Sequence, residues 1–261
     1  VIEVGVTADQ AVTRLAAAWH AALMIIVLDA LPLGIPLLQQ HYRTQIFVRF
    51  FVLALIVNTF AIPAIVALAS GRAATILAAL RAGLSGFWKT LCCTLAATLF
   101  VGMPVFVVLA MFSGILSAAA MESHPLAVTL VALGVALCCA PVVTVVALMY
   151  PIALLEKVGA LEAWGLAWSR GVLASPRRGW FIGCAIVLIG YFPGVAFVRS
   201  IDALCAQFDL VLWPERPIAA LVQSFTGIGL TVAFATVLAT ELRQHAQGSD
   251  LEAALEAPRS P

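Results

Sequence analysis

Asp29 is the residue whose type and surroundings best suit it for chemistry, because it stands inside the apolar run from Leu15 to Leu38. An ionisable group within a lipid-soaked helix is costly, and it is held by a partner, by a water-filled cavity or by a coupling role. Two polar groups of the next apolar run, Asn58 and Arg49, come near it if the runs form an antiparallel hairpin. At the helical rise, Asp29 lies roughly 13 Å and Asn58 about 18 Å from the same end of that hairpin. Arg49 is nearer that end, with a stem long enough to reach inward. The structural expectation is that Asp29 caps a kinked half-helix before Pro32 or hydrogen-bonds Asn58. The functional alternatives are proton or substrate coupling, or the lining of a water cavity.

Nothing else in the chain spells out a reaction. No HExxH, GxSxG or phosphate-loop pattern is present, so no catalytic, cofactor or metal site is expected. His20, His41, His124 and His245 are far apart and near the ends of apolar runs, which suits interfacial positions. Glu122 and His124 share one short loop, and Asp202, Asp209, Glu215 and Arg216 share another; solvated loops are the expectation for both. Cys92, Cys93, Cys138, Cys139 and Cys184 fall in apolar runs and Cys205 in a loop, a distribution that favours packing over disulfides or zinc.

The elements that must position these residues follow from composition. The chain has 261 residues, 63% hydrophobic and 10% charged, against about 25% charged in soluble domains. So little charge cannot cover a water-facing surface. Apolar runs near the ~20 residues that a bilayer requires lie at 15–38, 46–70, 90–115, 126–150, 180–201 and 217–240. The expected fold is all-α, a polytopic membrane bundle of about six spans forming one domain over residues 1–241, with a polar tail over 242–261. That tail should extend as a short helix and then lose order. Five of the six spans hold an internal proline, which bends membrane helices without breaking them when neighbours satisfy the freed carbonyls. Val1 opens the chain with no short apolar core and small-residue cleavage site behind it, so the first span is expected to act as an uncleaved anchor.

Lys and Arg set the orientation. Ten of the fourteen fall in the N-terminus, the loops after spans two and four, and the tail; the four others are Arg43, Arg49, Arg199 and Arg216. Both termini should therefore be cytoplasmic in a bacterial inner membrane. A net charge of +1 with no basic block excludes a nucleic-acid footprint. The two inner loops, Arg72–Lys89 and Ala160–Leu173, read as amphipathic helices lying in the interface. Each is followed by basic residues beside Trp88 or Trp180, facing anionic lipid headgroups. Span, interfacial helix and span thus occur twice, as a weak internal repeat.

The second inner loop carries the most informative pattern. Pro151 ends an aliphatic run, Glu156 and Gly159 form a Glu-x-x-Gly turn, Glu162-Ala163 follows, and a short helix closes on Ser169-Arg170 before Gly179-Trp180. Gly159 would let the chain turn. Glu156 or Glu162 would meet the N–H groups that open the interfacial helix, and Arg170 would suit its negative end. Over roughly residues 70–200 this elbow resembles the YciC-like and DUF975-like bacterial multi-pass families, and the membrane domain attached to some glycerophosphodiester phosphodiesterases. The resemblance implies a six-span fold and no defined activity; no soluble phosphodiesterase domain follows in this chain, so that activity is not carried over.

The leading expectation is a non-enzymatic envelope or membrane-partner protein, embedded in lipid and associating with copies of itself or with other membrane subunits. The alternative is a transporter or permease component for a small or amphipathic substrate. A membrane-embedded lipid enzyme would require Glu156, Glu162 and Arg170 to converge on one pocket.

Overall fold

The computed structural model describes residues 4–38, 45–103, 138–190 and 224–256, with the single positions 134, 200, 221 and 222. Every regular element among them is helical. The helices are α1 (Val4–Ala17), α2 (Trp19–Leu38), α3 (Gln45–Ala69), α4 (Ile76–Ala97), α5 (Ala140–Leu155), α6 (Ala160–Trp168), α7 (Pro176–Gly190) and α8 (Thr231–Glu256). Wide π-helical turns follow α4 (Thr98–Gly102) and α6 (Ser169–Leu173) and precede α8 (Phe225–Leu230). Two stretches, Ile76–Gly102 and Phe225–Gly248, are long and apolar enough to cross a membrane. Two bent pairs raise the number to four among the described residues: α1 with α2 at 95°, and Ala160–Leu173 with α7 at 107°.

Lipid is as apolar as leucine, so helices in a bilayer associate by close packing rather than by hiding from water. The α3–α4 hairpin shows this directly. The buried face of α4 is a stripe of small residues, Ala79, Gly83, Gly86, Thr90 and Cys93. A Cβ at Gly83 would lie 2.6 Å from the Phe60 ring, and one at Gly86 2.5 Å from Pro63. Leu77, Leu84, Trp88, Leu95 and Leu99 of the same helix are exposed. The large residues face outward and the small ones face protein.

This corrects the expectation for Arg72–Lys89, which is not a separate interfacial helix. Thr75 caps α4, accepting a hydrogen bond from the Ala78 N–H at 3.3 Å, and the helix then runs on as one 27-residue stretch to Gly102. No proline interrupts it, and its glycines serve contact with α3 rather than a break. The second stretch, Ala160–Leu173, is a helix of its own, bent by 107° from α7. Proline at the first helical position and serine before it open α7 after a sharp turn at Ala174–Ser175.

Three other boundaries moved. The first apolar run is divided: residues 4–17 form a helix of their own, bent by 95° from the helix that begins at Trp19 and packed against α8 and α3. There Thr7 donates to Glu241 of α8 at 3.0 Å, and Arg14 donates to the Ala69 carbonyl at 3.0 Å. Pro151 does not end its span; α5 continues through it to Leu155. The tail stays helical to Glu256, since Leu251-Glu252-Ala253-Ala254-Leu255-Glu256 are all strong helix formers.

The core lies where α5 and α8 meet α3 and α7. Ile65, Leu68, Leu148, Met149, Ile152, Ile182 and Leu238 are fully buried there. Hydroxyls inside this core turn back to the preceding helical turn: Thr59 to the Leu55 carbonyl at 2.6 Å and Thr236 to the Val232 carbonyl at 2.7 Å. Thr144 also reaches across to the Gly179 carbonyl at 2.7 Å, tying α5 to α7.

Candidate functional site

Asp29 sits on α2 and is buried, with the Ser224 hydroxyl beside it. Oδ1 of Asp29 and Oγ of Ser224 both lack a hydrogen-bond partner among the described residues. Asn58 is not its partner: its Oδ1 is likewise buried and unmatched, and no hydrogen bond joins the two side chains. Nor does Asp29 cap a half-helix, because α2 runs unbroken from Trp19 through Pro32 to Leu38. Arg49 lies on α3, and its side chain is outside the described residues. The structure therefore replaces the expected Asp29–Asn58 pair with an Asp29–Ser224 neighbourhood that joins α2 to the approach to α8. Gly229 makes this approach possible, since a Cβ there would lie 3.0 Å from Ile26.

Buried polar atoms without partners are rare and call for a cause. Replacing Asp29 by asparagine keeps shape and removes the ionisable group. Asp29→Asn should reach wild-type expression and thermal stability, and lose substrate movement if the carboxyl couples it. A variant that loses folded yield, measured by detergent size exclusion, would assign Asp29 a purely structural role.

The elbow motif is assembled partly as expected. Arg170 forms an ion pair with Glu156, and both side chains are mostly shielded. Glu162 is exposed in the first turn of α6, and Ala163 is fully buried beneath it. Ser169 opens the π-helical turn, its hydroxyl donating to the Leu166 carbonyl at 3.1 Å. The helix runs past Arg170 to Leu173 rather than ending there. Pro151 is buried in α5. Gly159 does not make the turn: its φ is −74° and its Cβ position is open. Lys157 does, with a φ of 60°. A side chain in that left-handed region costs about 1 kcal/mol relative to glycine. Glu156 and Arg170 thus meet each other while Glu162 points elsewhere, which is a structural pair and not a convergent set of titratable groups.

A second shielded cation lies nearby. Arg178 at the start of α7 has an Nη2 that is buried without a hydrogen-bond partner among the described residues. Burial pushes its guanidinium below the ordinary value, and the Glu241 carboxylate opposes that shift.

Among the cavities between the described helices, three stand close to the residues above. The largest of the three, about 570 Å³, is open on one side and lined by apolar side chains of α3, α5, α7, α8 and the π-helical turns, among them Ile62, Phe100, Val146, Ile186 and Ile228. Its volume falls within the ~300–1,000 Å³ of small-molecule sites. The other two lie toward the end of the bundle where α3 and α5 terminate. One, of about 370 Å³, has Arg72, Lys89 and Lys157 in its wall; the other, of about 210 Å³, has Arg14, Arg72, Arg243 and Glu156. Asp29 lines none of the three.

Sequence reading missed this cationic region. All five cations belong to the set used to orient the chain, which was the available signal; what it could not show is that four distant segments bring them together. Among the described residues no three His, Cys, Asp or Glu side chains cluster as metal ligands. The described cysteines are free, and Cys93 and Cys184 are buried as packing residues. Glu122, His124, Cys205 and the loop from Asp202 to Arg216 lie outside the described residues. Compared with known proteins, the chain matches no family model, no curated sequence and no solved structure.

Proposed function

We propose that this chain is a six-span, non-enzymatic protein of the bacterial inner membrane that takes up an amphipathic molecule from the bilayer, with both termini cytoplasmic. The observation that carries the reading is the 570 Å³ apolar cavity, open on one side, between the described helices. A space of this size, walled by valines and isoleucines, accommodates hydrocarbon and offers water few partners. The resemblance of the elbow to multi-pass families and the one-sided distribution of Lys and Arg support the span number and the orientation. The amphiphile reading is favoured over subunit docking because the small-residue stripe of α4, the sort of face that helices associate through, is already occupied by α3.

Filling the cavity tests this. Val146 is only partly buried on α5 and faces the space. Wild-type protein purified in mild detergent should carry a bound lipid-like molecule, detected by native mass spectrometry. Val146→Trp should lower its occupancy by about tenfold, the equivalent of ~1.4 kcal/mol, with little change in thermal stability. Occupancy unaltered by the tryptophan, or wild-type protein with nothing bound, would rule the reading out.

A further inference from the structure

The two smaller cavities share Ser70, Arg72 and Leu155, so Arg72 stands in the wall between them. On one side it is joined by Arg14 and Arg243, on the other by Lys89 and Lys157. Glu156 is the one carboxylate in either lining, and Arg170 already neutralises it.

Part of this charge has a structural task. Arg14 donates to the Ala69 carbonyl at the end of α3, and Arg72 donates to the Leu155 carbonyl at the end of α5 at 3.4 Å. Helix C-termini carry about half a negative charge each and attract cations. Two such ends offset roughly one unit of charge, against five cations in the linings. Each guanidinium has five N–H donors and no acceptor, so one carbonyl leaves most of them free. Arg243, Lys89 and Lys157 make no hydrogen bond or ion pair to the described residues. Like charges gathered around one space repel unless an anion enters it.

We propose that the two adjoining cavities form one binding site for a phosphate group carried on an anionic molecule. Arginine forks match phosphate oxygens in pairs, and lysines add point charge. This deepens the amphiphile reading and rests on it for the source: a phosphate-bearing lipid would place its headgroup here, with its chains toward the apolar interior.

The test uses the full chain in phosphatidylcholine nanodiscs doped with phosphatidic acid, with inorganic phosphate as the soluble probe. Arg243→Gln with Lys157→Gln removes two exposed cations that cap no helix in the structure, so the double variant should fold. Wild type should retain phosphatidic acid over phosphatidylcholine, and the double variant should reduce that preference by about tenfold, as expected for losing charge-assisted contacts. Binding of inorganic phosphate that the double variant loses, without lipid preference, supports the phosphate site and assigns its source to water. Equal retention of both lipids with no phosphate binding overturns the site. If total lipid occupancy stays high in that case, the amphiphile reading survives; if wild type holds no lipid but still binds inorganic phosphate, the amphiphile reading alone falls. Should the double variant fail to fold, the wild-type comparison of the two lipids and phosphate decides by itself.

Discussion

Gly183→Ala is expected to eliminate folded protein. A Cβ at this position would lie 1.9 Å from the Ala140 carbonyl oxygen and 2.4 Å from its carbon. Both atoms belong to the backbone of α5, so no rotamer change can make room. The helices would have to part and open the core they share, which includes the buried Val145, Leu148, Ile152, Ile182 and Ile186. Overpacking of an adaptable core costs typically ~1–3 kcal/mol, and a rigid backbone neighbour places this case at or above the top of that range. In a bilayer there is no compensating hydrophobic force to press the helices back together. Gly165→Ala is the matched control: nothing lies within 4 Å of its Cβ position, and alanine should be neutral or improve α6 by up to ~1 kcal/mol. Fluorescence-detected size exclusion of both variants decides. A monodisperse Gly183→Ala peak at wild-type height would show that α5 and α7 are not packed backbone to backbone.

The second large effect concerns the Glu156–Arg170 pair. Arg170 is 23% exposed and Glu156 14%, shielded enough that removing one partner leaves a poorly solvated charge. Breaking fully buried pairs costs ~3–5 kcal/mol, and this partly shielded pair should cost about 2. The two single variants should differ. Glu156→Gln removes the one carboxylate from a cavity that also holds Arg14, Arg72 and Arg243, so it strands Arg170 and raises the repulsion among the other three. Arg170→Met leaves Glu156 among those same arginines, where it still finds positive charge. Glu156→Gln should therefore lower the unfolding midpoint more than Arg170→Met, and the double variant should recover part of the loss. Strict additivity of the two single effects in a double-mutant cycle would mean that the pair contributes nothing.

Several features of the fold were legible because they are encoded locally. The helical character of the apolar runs follows from length and composition. The Glu156–Arg170 pair was not legible: the sequence suggested opposite ends of one helix for the two residues, and the fold brings them together. Local encoding also explains the errors. Gly159 looked like the turning residue because glycine tolerates a left-handed backbone, yet Lys157 adopts that conformation instead. Arg72–Lys89 looked amphipathic because large apolar residues share one side; in a membrane that side faces lipid, and the opposite stripe of small residues faces protein. Hydrophobic periodicity has opposite meanings in water and in lipid, and the sequence alone does not say which applies to a given face.

By itself the sequence determined that this is a helical chain with segments apolar enough to cross a membrane, because bulk hydropathy needs no knowledge of neighbours. Only the tertiary structure decided that Asp29 lies beside Ser224 rather than bonding Asn58, and that Arg14, Arg72, Lys89, Lys157 and Arg243 line two adjoining cavities. Those juxtapositions depend on which helices cross and on where glycine allows their backbones to touch, and that is a property of the packed bundle as a whole.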